Sequence, residues 1–278
     1  MTRWLRAHPA AGFVLLAFGI SYLAGMPLLM GVTGMFPPGA DLARTYLPRI
    51  GVTYGPAVAA LLLARLSGAP RAAADLLRRA LPARRDLPSS IVILVVGIGT
   101  AALALAVVGV EGAEQLDLVR AHGGLLAAHL ALQLVFVTLG EELGWRGWLL
   151  PMLATRTTRL RATVAVGAIW GIWHAPILLS GLVAATMLML GTLGLSVIFT
   201  ALWVRAGHRL FTIMLAHASV NAPLFFMEQL LAARGPGDGR LILAWRLLQG
   251  TYAVAALVIV GATWRWWRVR EPHLDTAQ

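Results

Sequence analysis

The chain of 278 residues contains no cysteine and no lysine. Without cysteine there is no disulfide, no thiolate metal ligand and no cysteine nucleophile. Without lysine, the formal net charge of +11 rests on arginine alone. Charge of either sign is scarce, at 13% of residues, whereas 59% are hydrophobic. Soluble domains carry roughly a quarter charged residues. This composition therefore excludes an ordinary soluble domain and describes a polytopic membrane protein. In a soluble domain such basicity would point to nucleic acid. Here the arginines cluster between apolar runs, so nucleic acid is set aside in favour of topology and anionic lipid headgroups. Two further chemistries are missing, since there is no His-Glu-x-x-His zinc signature and no Gly-x-x-x-x-Gly-Lys phosphate loop. Neither internal repeats nor a second soluble domain is evident, so residues 1–278 read as a single integral-membrane domain.

What is present is a series of apolar runs. A span needs roughly 20 mostly apolar residues. Eight are expected, at about 11–33, 50–67, 89–110, 124–150, 162–181, 183–204, 209–232 and 243–264. The first follows Arg3 and Arg6 like a signal sequence, but its run is longer than a signal-peptide core and it is read as a retained span. Every second loop is basic. Arg71, Arg78, Arg79, Arg84 and Arg85 separate spans two and three, and Arg156, Arg159 and Arg161 separate four and five. Arg205 and Arg209 separate six and seven, and Arg265, Arg268 and Arg270 follow the last. The fold class expected is thus all-α, a membrane helical bundle of about eight transmembrane helices with both termini cytosolic. The segment 71–86 is either a basic helix on the cytosolic face or a solvated loop.

Polar residues interrupt three of these runs, where an ionisable group costs on the order of 3 kcal/mol to insert. The first set is Glu141, Glu142 and Arg146. Glu142 and Arg146 are four apart and share a helix face, whereas Glu141 points about 100° away. One glutamate is then neutralised, and the other is left to act as a general base. The second set is Trp170 and His174, again four apart, with Pro176 expected to kink the helix beside the histidine. The third is His217 and Asn221, also four apart, with Pro223 beyond them. At about 1.5 Å per residue, Glu141, His174 and His217 lie roughly 14, 18 and 12 Å from the cytosolic ends of their spans. They are at compatible depths. Each set alone has a structural reading: a core salt bridge, a packed histidine, or an interhelical hydrogen bond. Ser219 projects away from the shared face of His217 and Asn221, which argues against a serine nucleophile. His129 lies twelve residues before Glu141 and is left out of the site.

Glu-Glu-x-x-x-Arg, then aromatic-x-x-x-His, then His-x-x-x-Asn, on successive membrane helices, resembles the CAAX protease and bacteriocin-processing (Abi, CPBP) family of intramembrane endopeptidases. The resemblance covers a catalytic core of about 125–230. The usual second motif has Phe where this chain has Trp170. By motif position the resemblance implies that Glu141 and His174 activate water, that His217 and Asn221 stabilise the oxyanion, and that Glu142, Arg146 and Trp170 support them. It leaves the cofactor open, as one divalent ion such as zinc on Glu141, His174 and His217, or none. It implies a peptide or membrane-protein substrate, a lipid bilayer as surroundings and a bacterial-type plasma membrane as location. Oligomeric state stays undetermined. Two other classes compete: a proton- or ion-coupled transporter built on the same buried groups, and a non-catalytic immunity or scaffold protein.

Overall fold

The computed structural model describes residues 2–26, 41–66, 71–232 and 239–270. The described residues form helices and turns without strands. In chain order the helices are α1 (Thr2–Ala7), α2 (Pro9–Gly19), α3 (Asp41–Thr53), α4 (Gly55–Leu66), α5 (Ala72–Ala80), α6 (Leu87–Val107), α7 (Gly112–Gln133), α8 (Leu139–Gly144), α9 (Leu150–Ala154), α10 (Arg159–Trp173), α11 (Ala175–Leu178), α12 (Leu182–Arg205), α13 (Leu210–Ala232), α14 (Gly239–Ala262) and α15 (Trp264–Trp267). Wider π turns extend α2 over Ile20–Gly25 and flank α8 over Leu134–Thr138 and Trp145–Leu149.

Among the described residues six continuous helices are long and apolar enough to cross a membrane, and Pro9–Leu23 is a shorter apolar helix. One of the eight expected spans is broken among the described residues. The span expected at 162–181 is broken, because α10 ends at Trp173 and α11 restarts at Ala175 with Pro176 in its first turn. The end of the span expected at 11–33 lies outside the described residues. The loop expected before the fourth span is helical instead. Helix runs from Gly112 to Ala154, 43 residues, with a kink at His122 (φ −129°, ψ 22°). At about 1.5 Å per residue this exceeds a hydrocarbon core of roughly 30 Å, so its beginning projects beyond the apolar layer. Pattern reading stopped at the charged Glu114, Asp117 and Arg120, which a helix outside lipid carries without cost. Within segment 71–86, Ala72–Ala80 form α5, which buries Leu76 and Ala80 while the Arg78 side chain stays exposed, and a short 3-10 turn follows at Arg84–Asp86.

The bundle brings α8, α10 and α13 together. Helix α8 packs on α4, α10 on α12, and α13 on α6, α7 and α8. Outward positions on α6 and α14, including Val92, Val95, Val96, Leu103, Leu257 and Val258, are exposed apolar side chains, as a lipid-facing surface requires. In lipid the helices gain no solvent-driven association, so close backbone approach carries the packing. On α8 that approach is made by two glycines. A Cβ on Gly140 would meet the Thr53 carbonyl oxygen at 2.6 Å, and one on Gly144 would meet Pro56 Cβ at 2.4 Å and its backbone at 2.7 Å. The anchor at the start of α13 is an ion pair. Arg209 donates from Nε to Asp86 Oδ1 at 3.0 Å and from Nη2 to Oδ2 at 2.7 Å, tying the end of the α5–α6 loop to the helix that carries His217.

Gly144→Ala gains about 1 kcal/mol of helix propensity but forces a methyl into rigid backbone, a cost of roughly 1–3 kcal/mol. Because the obstructing atoms are backbone and a proline ring, the expected result is a lower melting temperature in detergent. An unchanged or raised value would contradict the packing described.

Candidate active site

Glu142 and Arg146 form the floor. Both are 0% exposed. Arg146 Nη1 donates to Glu142 Oε1 at 3.0 Å and to Oε2 at 3.2 Å. Its guanidinium carbon also lies 4.5 Å from the Trp170 ring centroid and 5.1 Å from that of Phe199. The π turn that starts at Trp145 does not disturb the i, i+4 pairing expected from helical spacing. Glu142 has a second partner on another helix, since His217 Nδ1 donates to Oε1 at 2.8 Å. One carboxylate therefore ties α8 to α13. A carboxylate cannot donate, so the proton on that bond belongs to His217 Nδ1.

Above this floor lies a cavity of about 430 Å³. Glu141, Trp170, His174, His217 and Asn221 all line it. Glu142 and Arg146 do not; they support it from behind. The residues expected to act thus come together from α8, α10, the break after α10, and α13. Glu141 is 3% exposed and its Oε2 accepts from the Trp170 indole Nε1–H at 2.7 Å. A phenylalanine at this position would pack equally well but could not donate, so the Trp-for-Phe departure adds a hydrogen bond to Glu141. His174 Nδ1 donates to the Trp170 carbonyl at 2.9 Å. Because a carbonyl only accepts, the neutral imidazole carries its lone pair on Nε2. Trp170 also meets the His174 ring edge-on at 5.8 Å and the His217 ring edge-on at 5.3 Å. Asn221 Nδ2 donates to Gln133 Oε1 at 3.4 Å.

Two residues that sequence patterns did not flag hold the break at His174. Tyr22 donates its hydroxyl proton to the Trp173 carbonyl and accepts from the Ala175 N–H at 3.2 Å, so it spans the histidine on both sides. Ser21 accepts from the Trp173 indole N–H at 3.0 Å and donates to the Val52 carbonyl at 2.7 Å. Proline and the helix end free backbone groups that lipid cannot satisfy; Tyr22 satisfies two of them. The signal was weak in sequence because a lone Ser-Tyr pair in an apolar run has many uses.

Other candidates separate from the cavity. His129 is 1% exposed and fully engaged, accepting from the Tyr46 hydroxyl at Nδ1 (2.8 Å) and donating from Nε2 to Gln229 Oε1 (2.9 Å). Ser219 donates to the Ala216 carbonyl at 2.8 Å and does not line the cavity. Glu141, His174 and His217 share the cavity, yet among the described residues no three His, Asp or Glu side chains form a group able to hold a metal ion. A hydrogen bond already occupies one nitrogen or oxygen of each. Such bonds orient a ligand rather than bar it, so what counts against a resident ion is the lack of a three-residue group among the described residues.

Residues 123–223 match the family model described as type II CAAX prenyl endopeptidase Rce1-like. The matched segment is somewhat more than a third of the chain and contains all three motifs. It is consistent with the CAAX protease family that the motifs resemble and supports a membrane endopeptidase. No curated protein matches the chain. Six long apolar helices and this family together make the chain an integral multi-pass membrane protein.

Arg146→Met strands the Glu142 carboxylate in low dielectric, a loss of about 3–5 kcal/mol. Adding Glu142→Leu removes the stranded charge, so the double variant is expected to melt above the single one. A double variant no more stable than Arg146→Met would contradict the pairing. Tyr22→Phe is expected to speed hydrogen exchange at the Ala175 amide, and unchanged exchange would show that the hydroxyl does not hold the break.

Proposed function

We propose that this chain is an intramembrane endopeptidase that hydrolyses a peptide bond of a membrane-associated substrate with a water molecule held between Glu141 and His174. The observation that carries the reading is the meeting of Glu141, His174, His217 and Asn221 at one cavity. The catalytic core is residues 125–230 of a single membrane domain. Alternating arginine-rich loops support eight crossings with both termini in the cytosol, and a bacterial-type plasma membrane is the setting that suits this topology.

The chemistry follows from which atoms are free. Glu141 Oε2 is held by Trp170, so Oε1 takes the proton of the water. His174 Nε2 accepts the other hydrogen of the same water and orients it, since Nδ1 is spent on the Trp170 carbonyl. The water oxygen then bonds to the substrate carbonyl carbon, and the carbonyl π electrons move onto oxygen. Asn221 Nδ2 donates to that oxyanion. His217 joins it only as imidazolium, because its Nδ1–H is committed to Glu142 and a donor at Nε2 needs a second proton. When the C–N bond breaks, the leaving nitrogen takes the proton from Glu141. No step requires a metal ion. Preorganised donors of this kind are worth about 10²–10³ in rate each.

The test uses purified protein in detergent with a quenched, lipidated peptide. Glu141→Gln is expected to keep the melting temperature and to lose about 10²–10⁴-fold in kcat. Trp170→Phe removes one charge-assisted hydrogen bond and is expected to cost about tenfold in kcat/KM. Near-normal cleavage by Glu141→Gln would reject the assigned base, and full activity in Trp170→Phe would remove the indole from the account.

A further inference from the structure

One charged residue that lines the cavity is not used by this mechanism. Arg49 faces the same space as Glu141 and His174. It comes from α3, a helix outside the family match. The wall of the cavity is mixed, with Met26, Val52, Val137, Leu195 and Phe225 apolar and Thr53, Thr192, Asn221 and Gln249 polar but uncharged. An arginine in such surroundings costs free energy unless an anion or a π face meets it. On its own helix it donates to the Thr45 carbonyl, and its guanidinium carbon lies 5.3 Å from the Phe225 ring centroid. Glu228, an exposed residue on α13, attracts it from outside the cavity. These contacts steer the planar guanidinium without saturating its five donors, which match a carboxylate in two parallel hydrogen bonds.

Position along the bundle gives the distance from the reacting centre. Tyr46 meets His129, and Thr53 donates to the Phe136 carbonyl, each pair with the same offset of 83 residues. Helix α3 therefore runs parallel to the long helix that leads into α8. The same offset sets Arg49 level with Leu132, nine residues before Glu141. Nine residues rise about 13 Å along a helix. An extended peptide covers roughly 3.3–3.6 Å per residue, so this is about four residues of bound substrate.

From this placement we infer that Arg49 is a specificity-determining residue that binds a substrate carboxylate about four residues from the scissile bond. The inference rests on the endopeptidase reading for what the bound peptide undergoes, but binding itself is measurable without turnover. The carboxylate is either the free C-terminus of the substrate or an Asp or Glu side chain.

The experiment uses the full chain in detergent and the intrinsic fluorescence of Trp170, Trp173 and Trp245, which line the cavity. Three apolar pentapeptides are titrated: one with a free C-terminal acid, one amidated, and one amidated with an internal Asp. The free acid or the Asp peptide is expected to bind at least about tenfold tighter than the plain amide. Which of the two is preferred identifies the source of the carboxylate. Arg49→Gln should collapse that preference to near one, and Arg49→Lys should retain part of it. Equal affinity for all three peptides, failure of all three to bind, or a preference that survives Arg49→Gln would overturn the inference. Cleavage of the same peptides is followed in parallel. Turnover without carboxylate preference rejects the Arg49 subsite alone, whereas preference without turnover of any peptide rejects the endopeptidase reading alone.

Discussion

Two adjacent carboxylates inside an apolar bundle are the constraint around which this molecule is arranged. Neither Glu141 nor Glu142 is more than 3% exposed. Glu142 is met by Arg146 one turn along and by His217 from α13. That shared carboxylate fixes the height of α13 relative to α8, and with it the height of Asn221 one turn beyond His217. Arg146 in turn lies against the faces of Trp170 and Phe199, so the charge is held by helices α10 and α12 as well. Removing one member strands another in low dielectric, where an unpaired charge costs several kcal/mol.

Glu141 differs because, among the described residues, its hydrogen-bond partner is the Trp170 indole at Oε2, and the residue lines the cavity. Trp170 has three roles at once. Its indole N–H holds Glu141, its carbonyl sets the His174 tautomer, and its ring packs on His174, His217 and Arg146. The break at His174 gives that imidazole a place at the end of a helix rather than on its side, and Tyr22 satisfies backbone groups on both sides of the break. Close approach at Gly140 and Gly144 lets α8 sit against the backbone of Thr53 and Pro56, which brings α3 and its Arg49 to the same cavity.

Much of this was legible from residue spacing. Polar pairs four apart on three apolar runs identify the faces of α8, α10 and α13, because helical period and the cost of burying charge act locally. The expectation that Glu141 and Glu142 face different ways follows from 100° per residue and agrees with their partners. Other features depend on tertiary contact and left little trace. The π turns around α8 have no residue signature. Ser21, Tyr22 and Arg49 come from the first third of the chain, where the composition is plain, and only the folded bundle brings the first two beside the break at His174 and the third to the cavity. Helix α7 was hidden by its charges, which signal the end of lipid rather than the end of a helix.

Whether Glu141 activates water or attacks the substrate itself is read from single-turnover hydrolysis in water enriched in oxygen-18. With enzyme in excess over peptide, the account predicts that the new carboxylate carries one oxygen from solvent in the first turnover and that Glu141 stays unlabelled. An unlabelled product in that turnover, with oxygen-18 appearing in the Glu141 side chain, would mean an acyl-enzyme and would contradict the account.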